Sequence, residues 1–195
     1  MRVLVACEFS GVVRDEFIAR GHDAYSCDLL ESETPGPHYQ GNVFDIINEG
    51  WDLMIAHPPC TYLSNSGVCW LKTDPTRHAK MVDGAEFFKK LLNANIPKIA
   101  VENPVMHGYA KTIIGATQTQ VIQPWMFGHM EQKATCLWLK GLPPLVPTRN
   151  VRKKMLTLPM HARQRLHYLS PGPERAHIRS ITFKGIARAF AEQWG

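Results

Sequence analysis

Arg2-Val3-Leu4-Val5-Ala6-Cys7 runs directly into Glu8-Phe9-Ser10-Gly11, a short apolar stretch that stops at a polar, glycine-ended turn. Such a run reads as a strand buried on both faces, and the residues after it, Val12 to Arg20, have a helical pattern closed by Gly21. The alternation continues: Asp23 to Cys27, Leu53 to Ala56 and Lys98 to Val101 read as further strands. Between the last two a long helix is predicted, with Asp74 as its cap, Pro75 in its first turn and Met81, Val82, Ala85, Phe88 and Leu92 as its core stripe. Strands alternating with helices imply an α/β, Rossmann-like fold with a mostly parallel sheet flanked by helices. Thr119 to Ile122 and Thr135 to Leu139 form a final strand pair around a turn at Gly128, and a last helix, Ile186 to Trp194, turns Ile186, Phe190 and Trp194 to one face. There is no internal repeat.

The 195 residues suit one domain, and a mixture of 45% apolar and 20% charged residues is that of a folded globule. No run of about 18 apolar residues exists and Met1-Arg2 leads into the first strand without a cleavage pattern, so a cytoplasmic protein with no membrane contact is expected. The five cysteines form no Cys-x-x-Cys pair, which predicts free thiols and no metal. The net charge of +5 is localised. From Gln132 to Pro173 there is no acidic residue, whereas Lys133, Lys140, Arg149, Arg152, Lys153, Lys154, Arg163 and Arg165 are all basic. A basic surface of this kind is the footprint of a polyanion such as DNA. Prolines 143, 144, 147, 159, 171 and 173 punctuate the same region, so residues 141–177 read as a basic, proline-rich insertion in the single 1–195 domain.

In an open parallel sheet ligands gather at the carboxyl ends of the strands. The first strand ends at the Ser10-Gly11 turn, where backbone amides could hold a cofactor tail, and the second ends at Asp28, suited to accept hydrogen bonds from a ribose. Leu53 to Ala56 ends in His57-Pro58-Pro59-Cys60, two prolines stiffening the chain before a thiol. Cys7, Cys27, Cys69 and Cys136 read instead as small buried hydrophobes. The next strand delivers Glu102-Asn103 to the same edge. A thiol beside a carboxyl suits activation of cytosine: attack on carbon 6, with the ring nitrogen N3 engaged by an acid, makes carbon 5 nucleophilic.

The order of glycine turn, Asp28, Pro59-Cys60, Glu102-Asn103 and closing helix resembles the DNA cytosine-5 methyltransferases, especially the short forms carried by phages and prophages. The resemblance implies S-adenosylmethionine as cofactor, DNA as partner, Cys60 as nucleophile and Glu102 as the base-binding acid. It also implies cofactor contacts from Phe9, Ser10, Gly11, Asp28, Asn42, Pro58 and Lys184. Asn42-Val43 stands where the family usually has an acidic residue near the adenine, and Lys133-Ala134-Thr135 resembles its basic strand start beside the active site. DNA contacts are expected from Lys133, Arg149, Arg152, Lys153, Lys154, Arg163 and Arg165. With only residues 141–177 in place of a recognition domain, sequence preference should be short. Tyr62 to Trp70, hinged at Gly67, would close over an extruded cytosine, and Cys60 should have a lowered pKa in the assembled site.

Four alternatives stand beside this reading. Lys184 near the methionine end would suit a carboxymethyl donor, carboxy-S-adenosylmethionine. A non-catalytic nucleic-acid-binding module could keep the same fold. An amino-group methyltransferase would have Asp or Asn before Pro-Pro and an aromatic after it, where this chain has His57 and Cys60; a cysteine hydrolase would need a His and acid pair that the strand ends do not offer in recognisable form.

Overall fold

The computed structural model describes the backbone of residues 1–195 and their side chains except that of Pro173. Its first half is built from β1 (Arg2–Ala6), α1 (Val12–Ile18), β2 (Asp23–Asp28), β3 (His38–Gln40), α2 (Val43–Ile46), β4 (Leu53–Ala56), α3 (Pro75–Leu92) and β5 (Lys98–Pro104). There follow α4 (Gly108–Ile114), β6 (Gln120–Ile122), β7 (Thr135–Lys140), α5 (Arg152–Leu156), α6 (Met160–Arg163), α7 (Pro173–Ser180) and α8 (Lys184–Trp194). The seven strands form one sheet in the order β3-β2-β1-β4-β5-β7-β6. β3, β2, β1, β4 and β5 pair in parallel, and β7 is antiparallel to both of its neighbours. This is the α/β, Rossmann-like sheet that the sequence predicts.

Pleating sorts β1 between two cores. Leu4 and Ala6 pack with α3 residues Met81, Ala85 and Phe88 on one face, whereas Val3 and Val5 pack with Phe17, Phe190 and Trp194 of α1 and α8 on the other. α3 begins as its sequence requires: Asp74 accepts the Thr76 N–H at 2.9 Å and Pro75 occupies the first turn. Its buried stripe ends at Leu91, with Val82 and Leu92 only partly buried at the borders, a correction to the predicted core. The proline-rich insertion is not irregular throughout; it forms α5, α6 and the start of α7.

Because β1 leads outward through β2 to β3 while β4 leads the other way to β5, the chain reverses its direction of travel between β1 and β4. That reversal opens a crevice beyond the carboxyl ends of these two strands.

Candidate active site

At the end of β1 the backbone turns sharply: Cys7 is the one non-glycine residue with positive φ, at 58°, among the described residues. The turn sends the Glu8 side chain beneath α1, where its carboxylate accepts the Val13 N–H at 2.7 Å and the Arg14 N–H at 3.2 Å. Ser10 Oγ donates to the same carboxylate at 3.3 Å. The Val13 and Arg14 amides of the first turn are therefore taken by the protein's own carboxyl group. Gly11 is required for a different reason. At φ 73° it caps α1, and a Cβ there would lie 2.1 Å from Thr34 Oγ1.

Arg14 fixes the far rim of the crevice. Wholly buried, it pairs with Asp15 at 2.8 Å and donates to Ser26 Oγ, Ser32 Oγ and Thr34 Oγ1 at 3.0, 3.1 and 2.7 Å, fastening the loop after β2 against the sheet. At the start of that loop Asp28 Oδ1 accepts the Leu30 N–H at 3.0 Å, and among the described residues no protein group donates to its Oδ2.

The β4 end carries the chemistry. His57 N donates to Ala6 O at 2.9 Å, continuing the strand ladder, and Asn103 Nδ2 donates to Pro58 O at 2.9 Å, tying the Pro-Pro-Cys loop to β5. Ala56 pairs with Val101 in the parallel register, so the next residues, His57 and Glu102, fall side by side. Their side chains meet, His57 Nδ1 lying 3.0 Å from Glu102 Oε2. Among the described residues His57 Nε2 is buried without a partner, and Glu8 stands close enough for its charge to interact with the imidazole.

Two adjoining cavities result. A volume of about 530 Å³ is walled by Cys60, Glu102, His57, Lys133 and Arg179, with Phe9, Ser10 and Pro58 also lining it. A second, of about 280 Å³, is lined by Asp28, Leu29, Gly41, Asn42 and Phe87. Cys7 and Pro59 line both. Burial is the main influence raising the Cys60 thiol above its usual value, helped by the Glu102 carboxylate and opposed by Lys133 and Arg179. The predicted lowering is therefore absent from the free protein, because desolvation outweighs the two cations. Burial would raise Glu102 as well, but the hydrogen bond from His57 and the charges of Lys133 and His57 win and hold its carboxyl below the usual range.

Other expected residues are dispersed. Lys184 is exposed at the start of α8, in a groove with Gly128, Arg149 and Arg188, and does not line the cavity that holds Cys60. The carboxymethyl alternative loses the cation on which it rested. Arg152, Lys153 and Lys154 stand exposed together on α5, with Arg152 5.7 Å from the Trp125 ring. Arg163 ends α6, and Arg165 pairs with Glu131 at 3.1 Å. The Tyr62 to Trp70 segment is no free loop: Leu63 is fully buried, Asn65–Lys72 is 3₁₀-helical, and Arg77 donates to Thr61 O at 2.9 Å. Cys27 and Cys136 are buried as expected, Cys7 is half-buried, and Cys69 is exposed. His57, Glu8 and Arg179 were not singled out from the sequence, although His57 adjoins the Pro-Pro-Cys loop and the parallel register sets it opposite Glu102.

No family model and no curated protein matches the chain. Among solved structures it is similar to a protein assigned as a DNA modification methyltransferase encoded within an Escherichia coli prophage, at 16% identity and a TM-score of 0.44, covering 71% of this chain and 46% of that one. It is also similar to a methyltransferase of Entamoeba histolytica, at 14% identity and a TM-score of 0.48, with 77% and 57% covered. An rRNA methylase from Escherichia coli matches at 16% identity and a TM-score of 0.37, with 71% and 55% covered. The chain thus spans about half the length of the solved chains it resembles. Among the described residues no helix is long and apolar enough to cross a membrane, and no cluster of three or more His, Cys, Asp or Glu side chains is placed to hold a metal ion.

Proposed function

We propose that this chain transfers a methyl group from S-adenosylmethionine to carbon 5 of cytosine in DNA, with Cys60 as nucleophile and Glu102 as the acid at N3. The observation that carries the reading is the convergence of Cys60 and Glu102 on one cavity that shares Cys7 and Pro59 with a second cavity lined by Asp28.

The residues fit the cofactor. Leu29, Val43 and Phe87 give the smaller cavity the apolar walls an adenine needs, and Asp28 Oδ2 is available to accept from ribose hydroxyls. Asn42 lines this cavity too, although its side-chain oxygen is already engaged in capping α2 through the Phe44 N–H at 3.1 Å. Phe9, Ser10 and Pro58 border the path towards Cys60. When bound, the cofactor supplies the methyl group and a positive sulfonium charge.

In this reading the protein's own groups act as follows. The Cys60 proton passes to the Glu102 carboxylate, which delivers it to N3 as Sγ bonds to carbon 6. Carbon 5 becomes an enamine carbon able to take a methyl group. N3 then returns its proton to Glu102, water takes the carbon 5 proton, and rupture of the Cys60 to carbon 6 bond restores the aromatic ring and releases a thiolate that recovers its proton from Glu102. Lys133 and Arg179 favour the thiolate, and engagement of Glu102 by the base removes the carboxylate charge that opposes it. Mass analysis of nucleosides from DNA made in cells expressing the chain tests the reading. It should reveal 5-methylcytosine; a methyl group on the exocyclic nitrogen, or unmodified cytosine alone, would overturn it.

A further inference from the structure

A polar groove of about 520 Å³ continues from the Cys60 cavity and shares Ser64, Pro104, Lys133 and Arg179 with it. We propose that this groove is a subsite for the nucleobase adjacent to the target cytosine in DNA, read by the amide pair Gln132 and Gln164. The inference rests on the reading of the larger cavity as the cytosine site.

The groove is built to hold neutral polar edges. Among the described residues no acidic side chain lines it. Gln132 N donates to Arg163 O at 2.6 Å, and Gln123 Oε1 accepts the Lys133 N–H at 3.0 Å. Gln164 Nε2 donates to Gln132 Oε1 at 3.3 Å, which brings the two amides together. Among the described residues no protein group takes the side-chain NH₂ of Gln132 or donates to the side-chain Oε1 of Gln164. A free donor thus stands beside a free acceptor, and that is the pattern with which amides recognise base edges. Val105 and Leu166 supply apolar surface in the same groove.

Charge sits where a linking phosphate would pass. Lys133 and Arg179 lie at the junction of the two cavities and are held there, Lys133 Nζ donating to Arg179 O at 3.0 Å and Arg179 Nη1 to Leu166 O at 3.3 Å. Cations at the junction and amides beyond it match a nucleotide chain, in which phosphates position and bases specify. Gln164 belongs to the basic insertion, so the short insertion contributes a wall of the site as well as charge.

Selection of bound DNA tests the proposal without requiring catalysis. The full chain is mixed with a duplex pool carrying a fixed cytosine between randomised neighbours, and the retained molecules are sequenced. The wild type should enrich one base at one neighbouring position by roughly tenfold, the order expected of a two-hydrogen-bond contact. Gln132→Ala and Gln164→Ala should flatten that profile at unchanged melting temperature, and Gln164→Asn, with a shorter arm but the same amide, should flatten it too. A flat wild-type profile, or variants that keep the wild-type bias, would overturn the proposal. Bias without any modified cytosine would remove the methyl-transfer reading and leave the groove; modified cytosine without bias would do the reverse.

Discussion

His57 Nδ1 stands 3.0 Å from Glu102 Oε2, so the acid proposed to face cytosine N3 is held in place by an imidazole on the adjacent strand. His57→Ala removes a hydrogen bond and a charge that hold the Glu102 carboxyl down, and its pKa should rise. Infrared titration of the protonated carboxyl band, with Glu102→Gln as the reference, should detect the band at higher pH in the variant. An unchanged titration would reduce His57 to a packing role. Stability follows the same sign. With its folded value depressed, Glu102 contributes stability that is complete above the unfolded value of about 4.3 and is lost as pH falls through the folded value. In the variant that contribution should shrink, because the folded value rises towards the unfolded one and the stabilising window narrows.

Glu8 caps α1 from outside the helix through two backbone amides. Glu8→Ala leaves those buried donors without a partner and should lower stability by about 2 kcal/mol in urea denaturation. Glu8→Gln keeps an acceptor and should cost less. Equal stabilities of the two variants would contradict the capping role.

Asp28 is proposed to bind the ribose through the oxygen not engaged by Leu30. Asp28→Ala should weaken S-adenosylmethionine binding in calorimetry by roughly ten- to a hundredfold, the scale of a hydrogen bond to a charged group. Unaltered affinity would take Asp28 out of the site.

The exposed trio on α5 addresses the phosphate backbone in this account. Replacing Arg152, Lys153 and Lys154 together with Ala should weaken binding to all DNA sequences alike and reduce the slope of log affinity against log salt by about 2–3. A wild-type slope would leave the trio as a solvated helix face.

What could be read from the sequence was local. Leu53 to Ala56 is continuously apolar, and Asp74-Pro75 marks a helix start unambiguously, so β4 and α3 needed no tertiary information. Cys60 and Glu102 were legible because strand-end residues in a parallel sheet share one edge. The His57 to Glu102 contact depended on which residues pair, and only the register of Ala56 with Val101 decides that. Lys184 was placed near the cofactor by the family resemblance alone; α7 brings Arg175 and Arg179 to the cavity, while Lys184 falls beyond it. The Gln132 and Gln164 pair joins two loops 32 residues apart, neither with any periodicity to announce it.

Covalent trapping on DNA containing 5-fluorocytosine tests the central claim most directly, because fluorine at carbon 5 does not leave as a proton does and the adduct cannot resolve. With S-adenosylmethionine present, the wild type should remain attached to the DNA through denaturing electrophoresis, and the attachment should map to Cys60. Glu102→Gln should form the adduct more slowly while still binding cofactor, and Cys60→Ser should form none. An adduct that persists in Cys60→Ala, or modified cytosine accumulating with that variant, would contradict the nucleophilic mechanism.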